Sequence, residues 1–293
     1  MAISKILIEY FCNLKLQGKI NDLQTVLDMG DQDISGDLDY FKEIFRKYNI
    51  KFNPEEFNSA KKYPQRPRVS SSTFWKTLQF NVTHRLDIAA LPRDNKDDLL
   101  NFFKVDLNFP IEQQIVPKMY DLVTDFGNNE HPFNYIEAYK SMHKFTKKNG
   151  YIFISQQFFK GNGYINFEPS FFESMAAVNN YKIINNFFIF YNDSKNLVTP
   201  LDIKILDIIN IEKIKDIQIN YLFKKTEDSE FKFPYQCCGS QFETKEYYDQ
   251  IYDYNEYPIS RSYLPTKIED IGGKILFKEV LKRVKKKIRV NHT

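Results

Sequence analysis

Thr25-Val26-Leu27-Asp28-Met29-Gly30-Asp31-Gln32-Asp33 runs from apolar residues into an acid, a glycine and a polar turn, and a helical pattern follows at residues 37–48. That succession is the start of a strand–turn–helix unit. In an open parallel sheet, ligands sit beyond the carboxyl ends of the strands, where a glycine lets the backbone approach them closely. A dinucleotide needs several glycines to cradle its pyrophosphate, but only Gly30 and the less usefully placed Gly36 are present. Asp28, Asp31, Asp33 and Asp37 make the turn unfavourable to anions, so a cationic nucleoside without phosphate fits it better. The plainer alternative is that Gly30 closes a turn and the aspartates are solvated.

Outward from this unit, short apolar or β-branched runs alternate with helical stretches, the pattern of a parallel sheet covered by helices. Seven strands are predicted, at residues 25–29, 81–88, 102–107, 120–124, 151–157, 181–191 and 217–224. Helices are predicted at 37–48, 71–78, 135–147 and 170–179, the last capped by Ser170. The expected fold is therefore α/β, a Rossmann-like doubly wound sheet with helices on both faces. Pro54, Pro64 and Pro67 among Lys61, Lys62, Arg66 and Arg68 mark residues 49–72 as a surface loop or lid bordering the site.

At the amino end, Ile3, Ile6, Leu7, Tyr10, Phe11 and Leu14 have helical spacing interrupted by charge, unlike the apolar block of a signal peptide. After residue 236 the composition turns Tyr-rich and acidic and closes on a basic run at 282–289, so 1–236 is expected to form one domain and 237–293 an extension. With 42% hydrophobic and 16% aromatic residues, the 293-residue chain can bury a sizeable core. Its 41 basic and 38 acidic residues leave a formal charge of +3, too balanced for a dedicated nucleic-acid binder. Three cysteines, including the adjacent Cys237 and Cys238, build neither a disulfide framework nor a metal pattern, and a cytoplasmic protein is expected. The apolar run at 187–191 is far shorter than the roughly 20 residues of a membrane helix.

Three further strand ends carry chemistry. Asp87, in His84-Arg85-Leu86-Asp87, stands where an acid accepts from both hydroxyls of a ribose, unless it is an ordinary surface aspartate. Asp106 and the amides around Leu107 are placed to meet the exocyclic amine of an adenine, before Pro110 stops the chain. The fourth end is the most distinctive, because Asp125, Phe126 and Gly127 lead to Glu130 and His131 just before a helix. His131 is a candidate general base and Glu130 its orienting partner or a substrate ligand, the alternative being that both cap the helix.

The run 120–156 resembles the motif IV to motif V region of class I S-adenosylmethionine-dependent methyltransferases. The likeness is greatest to a branch whose fourth strand reads Asp-Phe-Gly, here Asp125, Phe126 and Gly127, then Glu-His, here Glu130 and His131, then a helix ending near Lys147, Lys148, Asn149 and Gly150. LDMGDQD, HRLDI and VDLN at the first three strand ends, and Phe231-Lys232-Phe233-Pro234-Tyr235-Gln236, are similar too. The resemblance implies an antiparallel last strand and S-adenosylmethionine as cofactor. It implies a cofactor site at Asp28, Gly30, Asp31, Gln32, Asp87, Asp106, Leu107, Asp125, Phe126 and Gly127, with a substrate face near Asp125 to His131, where Glu130 and His131 are the catalytic candidates. One departure stands out, in that the glycine-rich first loop is reduced to Gly30-Asp31-Gln32-Asp33.

Three functions follow as expectations. The first is methyl transfer to a small molecule or glycan building block, the second a catalytically silent binding or scaffold protein, and the third an RNA-binding methyltransferase-like module that uses the basic tail. The aromatic, glycine-containing stretch 158–167 is expected either to pack or to cover the substrate pocket. Trp75 and Phe74 are expected in the core, and His84 and His143, lacking partners at metal-ligand spacing, in structural roles.

Overall fold

The computed structural model describes residues 2–234 except 59–61, 64–65, 68, 90–100, 117, 193–195 and 208. The expected extension 237–293, with Cys237, Cys238 and the basic run, lies outside the described residues. Eight strands make the main sheet: β1 Thr25–Met29, β2 Val82–Asp87, β3 Phe102–Lys104, β4 Tyr120–Phe126, β5 Thr146–Phe159, β6 Tyr181–Tyr191, β7 Leu197–Pro200 and β8 Asp216–Lys225. Their order across the sheet is β7-β6-β8-β5-β4-β1-β2-β3. The strands β1 to β5 pair in parallel. The last strand, β8, runs antiparallel between β5 and β6.

The Rossmann-like α/β fold is thus present with its antiparallel last strand, but with eight strands instead of seven. The added strand β7 is a short hairpin partner of β6, with Phe187 opposite Pro200. It escapes a pattern search because a four-residue edge strand ending in proline carries almost no alternation.

Helices α1 Lys5–Leu16, α2 Leu38–Lys47 and α4 Ser71–Thr77 cover one face, and α5 Tyr135–Phe145 and α6 Pro169–Val178 the other, with the short α3 Pro54–Asn58 following α2. Strand parity sorts the core between them. Val26, Leu122 and Phe153 pack with Tyr10, Phe11 and Trp75, while Leu27, Val123, Ile152 and Ile154 pack with Tyr139, Met142 and Phe172. Among the boundaries that differ from expectation, two have a clear local cause. The β-branched Thr146 opens β5 instead of prolonging α5, its Oγ1 donating to the Met142 carbonyl at 2.7 Å. The N-cap position of α6 falls on Glu168, which makes no side-chain capping bond, rather than on Ser170, because Pro169, with its fixed φ, takes the first helical position.

The stretch 49–72 is more than a surface loop. Phe57 and Val69 are buried, and Val69–Ser70 pairs with Asp33–Ile34, which pairs in turn with Ala2–Ile3. This small sheet lies directly over the turn that follows β1. Among the described residues no helix is long and apolar enough to cross a membrane.

Candidate active site

The turn after β1 is built around Gly30, whose φ of +107° is one that side chains rarely adopt. A Cβ there would stand 2.6 Å from Gln32 Nε2 and 3.0 Å from Asn128 Cγ, so the glycine also lets the turns after β1 and β4 touch. Beyond it the chain turns inward. Asp31 Oδ1 lies 3.2 Å from Arg85 Nη1 in an ion pair with both side chains at most 1% exposed. Arg85 donates to Ser70 Oγ at 2.6 Å, and the Ser71 N–H donates to the Gln32 carbonyl at 3.0 Å.

Asp31 and Gln32, both expected in the cofactor site, have buried side chains, so only their backbone is open to a ligand. Asp28 is corrected in the same sense. It is fully buried and accepts from Trp75 Nε1 at 3.0 Å and from Thr124 Oγ1, clamping α4 to the sheet. Burial pushes its pKa up to about 6.

Asp87 remains at the edge, half-buried at the last position of β2. Its Oδ2 accepts the Asp31 N–H at 3.0 Å and its Oδ1 the Ile88 N–H at 2.7 Å. Two charge-assisted bonds hold the carboxylate beside Gly30 with acceptor capacity to spare. Past β3, Asp106 folds into a turn, its Oδ1 accepting from Asn108 N and Nδ2 at 2.9 and 2.8 Å. The Leu107 side chain is in the core, so only its backbone is available to a ligand. Asn108 in turn receives the Asn134 N–H at 2.9 Å, tying the third strand end to the fourth.

The end of β4 gathers the remaining groups. Asp125 is fully buried, accepts the N–H groups of Asn128 at 2.8 Å and Asn129 at 3.3 Å, and is bonded by Gln156 Nε2. Burial raises its pKa to about 7. Phe126 packs on Phe153 and Trp75 and belongs to the core rather than to a ligand surface. Gly127, at φ +78°, starts the turn to Glu130 and His131.

Glu130 is wholly buried. Its Oε2 accepts the Gln157 N–H at 3.0 Å, its Oε1 has no hydrogen-bond partner, and burial pushes its pKa to about 8. An unpaired buried acceptor costs about 1–3 kcal/mol. His131 Nε2 stands 3.8 Å from that Oε1 with its ring 39% exposed, and partial burial lowers its pKa.

The aromatic stretch after β5 closes over this pair. The Tyr164 N–H donates to the Glu130 carbonyl at 2.9 Å, and a Cβ on Gly163 would sit 2.6 Å from Glu130 Cγ. The same stretch lines a groove of about 430 Å³ with Tyr135, Ile165, Phe167 and Phe171. Glu130 and His131 therefore belong to a wall of the strand edge and do not serve as caps of α5, whose first residue is Tyr135.

His84 bonds Tyr120 Oη at 2.7 Å, and His143 lies between Tyr181 Oη at 2.6 Å and the Ser229 carbonyl at 2.5 Å. Among the described residues no group of three His, Cys, Asp or Glu side chains is arranged to hold a metal ion. Sequence reasoning missed Arg85, Asn129 and Gln156. Only Arg85 carried a signal, a cation inside a strand of the main sheet, between His84 and Leu86.

No protein-family model matches the chain, and no curated protein matches it in sequence. Solved structures that resemble it include a 1,6-didemethyltoxoflavin-N1-methyltransferase from Burkholderia thailandensis, crystallised with 1,6-didemethyltoxoflavin and S-adenosylhomocysteine, at 12% identity over 75% of this chain and 79% of that one, with a TM-score of 0.40. TehB from Haemophilus influenzae aligns at 11% identity over 72% of this chain and 60% of its own, TM-score 0.40. The N-methyltransferase NodS from Bradyrhizobium japonicum WM9 aligns at 9% identity over 74% and 94%, TM-score 0.37. At these values the likeness fixes neither a cofactor nor a reaction.

Proposed function

We propose that the chain is a methyltransferase that binds S-adenosylmethionine over the carboxyl ends of β1, β2 and β4 and methylates a small molecule or glycan building block. The observation that carries this reading is Asp87, an edge carboxylate fixed at 3.0 Å by the N–H that follows the positive-φ Gly30. The edge suits the cofactor because it combines acids with a single glycine turn and has no multi-glycine cradle for a pyrophosphate. Asp87 would hold the ribose hydroxyls, Asp106 and the Leu107 backbone the adenine edge, and Gly30, Asp125 and Gly127 the turns that border the remainder.

When bound, S-adenosylmethionine supplies an already activated methyl group, so the chain has mainly to align the acceptor and exclude water. His131, with its lowered pKa, is neutral near pH 7 and can take a proton at the ring nitrogen turned away from Glu130, whose Oε1 stands 3.8 Å from Nε2. The stretch 160–166 lies over Glu130 and shields it from solvent.

Isothermal titration with S-adenosylhomocysteine tests the reading. The parent chain is expected to bind, and Asp87→Ala to bind about 10–100-fold more weakly, since hydrogen bonds to a charged group contribute about 1.5–3 kcal/mol each. Unchanged affinity in the variant refutes the ribose role. No binding to a folded parent chain refutes the enzyme and leaves a scaffold.

A further inference from the structure

The groove beside the active edge is walled by aromatic rings. Tyr135 at the start of α5 and Phe171 of α6 meet with centroids 6.2 Å apart, and both pack on the buried Phe167, at 5.8 and 5.2 Å. Phe233, from the segment after β8, lines the same groove of about 430 Å³. Its ring packs on Phe231 at 5.7 Å, and among the described residues it makes no ring contact with Tyr135 or Phe171. The groove therefore separates a single ring, 62% exposed, from a three-ring wall. A flat ring placed between them would be covered on two sides, and the volume suits a small molecule.

Exposure of one phenylalanine is ordinary by itself, but Phe233 is presented on a fixed backbone. Next to it, the Lys232 N–H donates to Asn179 Oδ1 at 2.7 Å and Asn179 Nδ2 donates to the Lys232 carbonyl at 2.9 Å, a clamp onto the C-cap residue of α6. Little of that segment remains to be ordered when a ligand arrives.

Charge narrows the ligand further. Glu168 lines the groove, and no lysine, arginine or histidine among the described residues does. Although it takes the N-cap position of α6, its carboxylate makes no capping bond and has no ion-pair or hydrogen-bond partner among the described residues. Lys140, the next base along α5, is paired with Glu137 at 2.8 Å, and the exposed Lys232 is outside the lining. The groove thus offers aromatic faces and one unspent negative charge, the complement of a cation carried on a flat ring.

We propose that this groove is a binding site for a small aromatic amine, its ring entering between Phe233 and the wall of Tyr135 and Phe171 and its ammonium lying toward Glu168. The site goes beyond the methyltransferase reading, because none of the residues lining it belongs to the proposed cofactor edge. Glu168 is exposed, so its pull is modest and weakens with salt.

The test uses the full chain at low salt and four matched probes, 2-phenylethylamine, 2-phenylethanol, 3-phenylpropionate and 2-cyclohexylethylamine, titrated by ligand-observed NMR. 2-Phenylethylamine should bind about threefold more tightly than the alcohol, about tenfold more tightly than the carboxylate and about fivefold more tightly than the cyclohexyl amine. Glu168→Gln should bring the three phenyl probes within about twofold of one another and keep the preference for phenyl over cyclohexyl. Phe233→Leu keeps the apolar bulk without the flat ring, and should remove that preference while keeping the charge ranking. Both side chains are exposed, so both variants should unfold in urea as the parent does and bind S-adenosylhomocysteine as the parent does. No binding of any probe, because residues after 234 or a second copy of the chain fill the groove, overturns the proposal. So does a carboxylate that matches the amine, or unchanged rankings in the folded variants. A parent chain that fails to bind S-adenosylhomocysteine strikes the cofactor reading instead and leaves the probe ranking to decide the groove.

Discussion

Replacing Glu130 by glutamine should flatten the dependence of folding stability on pH between about pH 5 and pH 8. Burial holds the native carboxyl at about 8 against an ordinary value of 4.5. Across that interval the native chain keeps a proton that the unfolded chain releases. Stability is therefore complete below pH 4.5 and declines as pH rises toward 8, opposite to the usual behaviour of a salt-bridged acid. At ~1.4 kcal/mol per pH unit the displacement has a ceiling of ~5 kcal/mol. Coupling to Asp125 and relaxation around the ionised group reduce the expected loss to ~2–3 kcal/mol. Glutamine keeps the acceptor for the Gln157 N–H and cannot ionise, so that loss should vanish. The chain has one tryptophan, the buried Trp75, whose emission reports urea unfolding of parent and variant at each pH. Parallel stability curves for the two proteins would refute the buried, proton-holding state of Glu130.

Three further outcomes follow from the same contacts. Arg85→Met leaves the Asp31 carboxylate buried without its cation and should cost ~3–5 kcal/mol in urea unfolding. Adding Asp31→Asn should recover much of it, and a loss below ~1 kcal/mol in the single variant would show the pair to be dispensable. Gly30→Ala forces a side chain into φ +107° and against Asn128, so ~1–3 kcal/mol of stability and most of the S-adenosylhomocysteine affinity should disappear together; a variant of parental stability would contradict the close approach. Trp75→Phe removes the indole donor to Asp28, whose pKa is about 6. Its destabilisation, ~1–3 kcal/mol, should be larger at pH 8 than at pH 5 because the ionised carboxylate suffers more from the missing donor, and an equal loss at both pH values would argue against that bond.

The strands were legible because most of the seven predicted are rich in apolar or β-branched residues and are bounded by polar turns, which is a local signal. The acids at their ends were harder to rank, since Asp28 and Asp87 look alike in sequence and differ in partners. Asp28 shares the parity of Val26, which points it at the α4 face, where Trp75 and Thr124 consume its oxygens. In a strand apolar on both faces, nothing local says which parity meets a hydrogen-bonding tryptophan. Asp31 was misjudged for a related reason. Its turn resembles an open ligand loop until residues 2–3 and 69–70, far away in the chain, cover it and Arg85 neutralises it.

Glu130 shows the limit most clearly. The sequence marks it as an acid beside a histidine after a glycine turn, a fair description of a solvated pair. Its chemistry depends on β5 reaching Phe159, which brings the Gln157 N–H to one oxygen, and on Gly163, which has no Cβ and so can pack against the Glu130 side-chain stem. Neither condition is local, and together they turn an ordinary carboxylate into one that holds its proton near neutral pH. A reactive group of this kind is specified by what surrounds it, so a chain can display its residues in plain order and still conceal their protonation state.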